Sequence, residues 1–228
     1  MAIAPDSNGT ATGNSISTFT VDITSAAVGA VCYCWIGNGT TETATTFTGW
    51  NNLVDTDEGT SSHYSAWWRV KQSGDTTFAP SWPTTEGSSA VWVSYTGVDT
   101  STPHEGFAAQ IHTSTANFVT PTATPTTTGR WALSFYDGRS TSAAFTFTNA
   151  TATQRVQVCN TANRWISASA ADTNGTVTAT SQSYTAVASA SQSHGATALL
   201  FLIPASGTTF IAPPPLIRAQ AVQRAAYY

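Results

Sequence analysis

The side chains able to do chemistry are few and scattered. The histidines are His63, His104, His112 and His194, and none stands at a metal-ligand or triad spacing. Ser and Thr are so common that none can be singled out as a nucleophile. His104-Glu105, just after Pro103, is the one exposed-looking pairing of a histidine with an acid. Neighbours on a loop need not converge, so the pairing assigns no catalytic role. Asp55, Asp57 and Glu58 resemble a loose cation loop but lack the length and spaced ligands of a calcium site, so they read as a solvated turn. Cys32 and Cys34 lie two apart on an expected strand with parallel side chains, a poor geometry for a disulfide. With Cys159 they read as small buried hydrophobes in a reducing compartment. No catalytic residue, metal site or cofactor is expected, and the chain does not read as an enzyme.

Aromatic residues carry more weight. An all-β domain binds sugars by offering a Trp or Tyr ring on a sheet face or loop. Trp67 and Trp68 are adjacent, so on a strand they point to opposite faces, one into a core and the other under some further cover. Trp82 sits near a turn. Two packed faces in a wide sandwich are the preferred explanation of these rings. Trp67 and Trp82 stand as the candidates for glycan binding.

Composition narrows the partners. The net charge of −4 at pH 7 argues against a nucleic-acid groove, which needs a basic stripe. Charged residues make up only 9% of the chain, and Ser and Thr fill the gap. A surface solvated by hydroxyls is buried against a partner at lower desolvation cost than a charged one. The first residues, MAIAPDSNGTATGNS, contain no basic or apolar block of a signal peptide. No apolar run has the length of a membrane span, so no membrane insertion is expected.

The elements that must position these groups are strands. Val31 to Ile36 is apolar on both faces and reads as a central strand. Thr45 to Val54 is a strand bent at Gly49, with Trp50 plugging the core, and Asp55 to Gly59 is an acidic turn. His63 to Lys71 alternates. In Ser88 to Thr96, Val91, Val93 and Tyr95 point one way and Ala90, Trp92 and Ser94 the other, before Gly97, Asp99 and Pro103 turn the chain out of the sheet. Phe107 to His112 is a short strand, Ala116 to Thr128 an extended connection, and Gly129 to Tyr136 a strong strand closed by an Asp137-Gly138 turn. About ten or eleven short strands without a helix predict an antiparallel two-sheet β-sandwich of jelly-roll kind with extended N- and C-terminal arms. The expected organisation is an arm at 1–15, the sandwich at 16–207 and a second arm at 208–228. In that last arm Pro213, Pro214 and Pro215 form a stiff spacer. Leu216, Ile217, Arg218, Val222, Arg224, Tyr227 and Tyr228 follow as candidate partner-binding residues, on a segment too short to hold a helix alone in water.

Several turns fall into one order: Gly49-Trp50-x-x-Leu53, Trp68-Arg69-Val70, Ser73-Gly74-Asp75, Tyr95-Thr96-Gly97-Val98-Asp99-Thr100-Ser101-Thr102-Pro103, and Arg130 to Gly138. Over roughly residues 16–205 this resembles a β-sandwich domain of virion structural proteins from phages infecting actinobacteria, often minor tail proteins. The Y-x-G-V-D-x-x-x-P stretch is its most specific part. The resemblance implies a structural protein assembled in the virion, most naturally in the tail or tail tip. Its expected partners are other virion proteins and copies of itself. A carbohydrate-binding module contacting host cell-wall glycan and a capsid decoration protein are the alternatives. The family brings no catalytic motif.

Overall fold

The computed structural model describes residues 1–41, 48–58, 62–161 and 165–206, with the backbone alone at 15, 16 and 83–86. Among these residues all regular structure is β. The strands are β1 (Ala4–Thr18), β2 (Val21–Asp22), β3 (Val31–Asn38), β4 (Asn51–Asp57), β5 (His63–Val70), β6 (Thr77–Phe78), β7 (Ser81–Thr96), β8 (His104–Val119), β9 (Trp131–Arg139), β10 (Phe147–Asn149), β11 (Thr153–Cys159), β12 (Ile166–Asp172) and β13 (Thr185–Leu202). One antiparallel sheet has the order β1-β7-β3-β5-β4. A second has the order β10-β13-β9-β12-β11, with β8 also paired to β13. The short β2 and β6 pair with each other. The first half of the chain thus fills one sheet and the second half fills the other.

Period-two alternation explains how each sheet buries two faces. Val31, Tyr33, Trp35, Val91, Val93 and Tyr95 of the first sheet join Leu133, Phe135, Ala168, Ala170, Ala198 and Leu200 of the second in one cluster. Trp35 stacks on Phe135 there, with ring centroids 5.6 Å apart. The intervening Cys32, Cys34, Ile36, Ala90 and Trp92 point the other way, into a cluster closed by Phe19, Val21, Ile23, Trp50, Phe78 and Trp82. Each large ring so enclosed contributes roughly 1.5–3 kcal/mol. The second sheet is covered on its far side as well. Phe118, near the end of β8, lies so close over β9 and β13 that a Cβ on Gly138 would be 3.2 Å, and one on Gly195 2.3 Å, from its ring. The long β8 and β13 therefore bend, and their distal ends fold back over their own sheet; their pairing is interrupted between Val187 and Gln192.

The turn after β7 shows why its residue types are needed. Gly97 has φ +69°, and a Cβ there would lie 1.9 Å from the Ala2 carbonyl oxygen. Only glycine fits. Asp99 Oδ1 then accepts the backbone N–H groups of Ser101 at 2.8 Å and Thr102 at 3.0 Å.

Three sequence-based expectations are corrected. The segment 1–15 is not an arm: from Ala4 onward it is β1, the edge strand paired along β7. Its polar, glycine-containing composition hides it because backbone pairing with β7 and polar side-chain bonds such as Ser94 Oγ to Asp6, rather than an apolar alternation, hold it. Asp55 and Asp57 are not in a turn but in β4, each opposite a residue of β5. Asp137-Gly138 is not a turn either. Both residues lie inside β9, paired to β12 and β13, where glycine makes room for Phe118. Residues 208–228, expected as a tether, lie outside the described residues.

Candidate functional site

The densest group of ionisable side chains is assembled by β4, β5 and β9. Asp55 and Asp57 are two apart on β4 and so share a face. His63 opens β5 directly opposite Asp57. Its Nδ1 donates to Asp57 Oδ1 at 2.8 Å, and its Nε2 is hydrogen-bonded to Asp55 Oδ1. With a carboxylate on each nitrogen the ring carries both protons. Burial pulls the imidazolium down, but the bonds to Asp55 and Asp57 outweigh it, and its pKa is raised. His63 is only 2% exposed, so its charge is neutralised locally rather than by solvent.

One residue beyond β4 the chain buries Glu58. Its N–H donates to the Ser62 carbonyl at 2.8 Å, and Ser62 Oγ donates to its Oε2 at 3.1 Å. Its carboxyl meets that of Asp137, which reaches across from β9. Each residue is 1% exposed. Two carboxyls hydrogen-bond only if one keeps a proton. Burial raises the Glu58 pKa first, against hydrogen bonds from Asp137 and Ser62 and the charges of His63 and Arg139. Burial raises Asp137 well above the usual range, and the Glu58 charge adds to it. Asp137 Oδ1 also accepts the Ala196 N–H at 2.9 Å, tying the pair to β13. Opposite stands Gly37, where a Cβ would come 2.7 Å from Asp137 Oδ2, so β3 must carry glycine there. The arrangement stores one proton between two sheets and joins the end of β4 to the middle of β9.

A second buried carboxylate also bridges the sheets. Asp172 at the end of β12 accepts Tyr95 Oη from β7 at 2.7 Å. Arg155 of β11 grips it through Nε at 2.7 Å and Nη2 at 2.8 Å, and the Asn174 N–H donates to it at 2.8 Å. The Arg155 pKa is raised, first by the bond to Asp172.

The sequence-based candidates fall elsewhere. Trp67 is 2% and Trp82 4% exposed, and both belong to the cluster on the outer side of the first sheet. Trp82 stacks on Phe19 with centroids 5.6 Å apart. This corrects the expectation of a ring offered to a glycan, because neither has an open face. Trp68 does take the opposite face to Trp67, packing against the inter-sheet cluster. Pro213, Pro214, Pro215, Leu216, Ile217, Arg218, Val222, Arg224, Tyr227 and Tyr228 lie outside the described residues. His104 and Glu105 diverge. His104 Nδ1 lies 3.2 Å from Tyr33 Oη, and its ring meets Trp68 edge-on. Glu105 instead holds Arg130 at 3.1 Å and the N–H of Thr126 at 2.9 Å. Cys32 and Cys34 are free and buried, and Cys159 is half-buried. Burial pushes the Cys32 thiol up to about 12. Among the described residues no three His, Cys, Asp or Glu side chains converge to hold a metal, and no helix is long and apolar enough to cross a membrane.

The acid–histidine group escaped the sequence reading. The available signal was an acidic run one short loop ahead of a histidine that begins an alternating strand.

Comparison with family models, with curated proteins and with solved structures finds no match for this chain.

Proposed function

We propose that the chain is a structural component of a phage particle, a minor tail or tail-tip protein that displays an all-β domain and is tethered by the arm at 208–228. The finer architecture in this reading is a β-sandwich. The jelly-roll kind would need successive strands to alternate between sheets, so the sandwich is kept without the roll.

One observation carries the proposal. Met1 N donates to the Ala205 carbonyl at 2.9 Å, Ala205 N donates to the Gly97 carbonyl at 2.8 Å, and Asp99 N donates to the Ile203 carbonyl at 2.8 Å. The first residue, the turn after β7 and the last described residues thus meet at one pole. A chain continuing beyond Ser206 leaves from that pole, and the rest of the domain is free to face outward. The low charge of the whole chain fits a surface destined for close packing. The buried carboxyls of Glu58 and Asp137, and Asp172 with Tyr95 and Arg155, are spent on each other between the sheets and support a structural role.

The test is a deletion of residues 212–228, with incorporation into particles followed by antibody labelling of purified virions. The expected result is a folded domain missing from the particles, with label on the tail when the full chain is used. Label on the head would move the protein to capsid decoration. Full-length protein absent from purified particles would overturn the proposal.

A further inference from the structure

A sheet edge offers unpaired N–H and C=O groups to any passing strand, and folded proteins block such edges with charge, proline or irregular pairing. Three edges of the two larger sheets are blocked in this way. The β4 edge carries Asp55 and Asp57. The β11 edge carries Arg155 and a register shift between Gln154 and Val156. The β1 edge carries Pro5, Asp6 and shifts between Pro5 and Ser7 and between Gly13 and Ile16.

The β8 edge is different. Its only strand partner among the described residues is β13. From Ala108 to Thr113 it pairs residue for residue with Leu199 to His194, without a bulge. No Asp, Glu, Lys, Arg or Pro occurs from residue 106 to residue 120. Ile111, in the middle of the regular run, is 46% exposed. Val119 on the same strand and Val187 on its partner are 38% and 40% exposed.

We infer that β8 is a self-association edge, on which a second copy of this chain pairs its own β8 antiparallel about a two-fold axis near Ile111. Charge decides for a copy of the chain over an unlike strand. An isologous contact sets each residue against itself or a near neighbour. On β4 it would set aspartates against aspartates, and on β11 arginine against arginine, and like charges directly opposite destabilise a strand pair. On β8 it sets Ile111 against Ile111, with alanine, threonine and neutral polar groups on either side. Joining the edges satisfies the free backbone groups of both copies, covers the exposed isoleucine and makes one continuous sheet through the two molecules. This assignment does not depend on the virion reading, and either can fail without the other.

The test is sedimentation equilibrium of the full chain over a range of concentrations, with Ile111→Lys, Ile111→Glu and an equimolar mixture of the two. The native chain is expected to form dimers. Each variant alone is expected to dimerise about tenfold or more weakly, because like charges meet at the axis. The mixture is expected to recover the dimer, since lysine then faces glutamate. Thermal melts checked by circular dichroism show that both variants are folded, as substitution at a half-exposed site allows. A native chain that stays monomeric throughout overturns the inference. So does a dimer undiminished in both variants, or folded variants whose mixture remains monomeric.

Discussion

Two buried carboxylates bridge the same two sheets, and they are compensated in opposite ways. Asp172 is held by a guanidinium, a phenol and a backbone N–H, all of which donate to it. At Asp137 a second acid stands where Asp172 has its guanidinium, and the charges of His63 and Arg139 act on that second acid. Asp137 is held by this acid, Glu58, and by the Ala196 N–H, so the bridge exists only while a proton is shared. The first link brings a positive charge into the sheet gap, and the second keeps one of its two carboxyls neutral. Both satisfy a buried polar group, and the second does so through carboxyls whose pKa values are raised.

Removing the cation is the severest way to break the comparison. Arg155→Met keeps much of the aliphatic bulk and leaves Asp172 charged in a site where it is 1% exposed. Breaking one side of a buried pair typically costs about 3–5 kcal/mol, and the partial exposure of Arg155 puts the expected loss near the lower end. Urea unfolding measures it. Adding Asp172→Asn to the same chain is expected to restore part of the loss, because no charge then remains unpaired. A loss under about 1 kcal/mol in the single variant would mean that Asp172 is solvated in a way its burial denies.

The shared proton gives the second effect its sign. Glu58 and Asp137 both have folded-state pKa values raised above those of an exposed carboxyl. The native state therefore holds its proton where the unfolded chain has released it. Stabilisation from the pair is complete below the unfolded value of about 4 and is lost as pH rises through the raised one. His63 has a raised pKa too, and its contribution also fades toward alkaline pH. Asp137→Asn removes the proton requirement but keeps a donor for Glu58 and an acceptor for Ala196. Denaturation midpoints from pH 4 to 9 are expected to fall more steeply for the native chain than for the variant. The gap between the two curves is expected to change steadily across that range, with the native chain losing stability faster as pH rises. Parallel curves would show that the two carboxyls do not share a proton. Arg155 serves as the control, since its raised pKa keeps it charged throughout that range.

The two bridges also differ in how far the sequence discloses them. Tyr95 is readable because β7 alternates cleanly: Val91, Val93 and Tyr95 enter one cluster, and Ala90 and Trp92 the other. The opposite faces of Trp67 and Trp68 and the double burial of β3 follow from the same period. Glu58 and Asp137 defeat the same reasoning. An acidic run beside glycine has the composition of a turn, and Asp-Gly is a strong turn dipeptide. What overrides both is tertiary: Gly37 clears the space, Ala196 supplies a donor, and each acid supplies the other's burial partner. None of these is local in sequence. The bent ends of β8 and β13 were hidden for a related reason. Their Thr- and Ser-rich stretches show little hydrophobic alternation, and the single ring of Phe118 over Gly138 and Gly195 anchors the fold-back.

The mildest test sharpens the cation side. Tyr95→Phe deletes only the hydroxyl that donates to Asp172 Oδ2 and leaves Arg155 and Asn174 in place. A hydrogen bond to a charged acceptor contributes about 1.5–3 kcal/mol, but Oδ2 keeps its bond from Arg155 Nε, so the expected loss is near 1–2 kcal/mol. In the Arg155→Met chain the phenol becomes a larger share of what holds Asp172. Tyr95→Phe is therefore expected to cost more in that background than in the native one. A double-mutant cycle by urea unfolding reads the coupling directly. If the two substitutions add without interaction, the phenol and the guanidinium stabilise Asp172 independently, and the carboxylate is less dependent on its cation than the geometry implies.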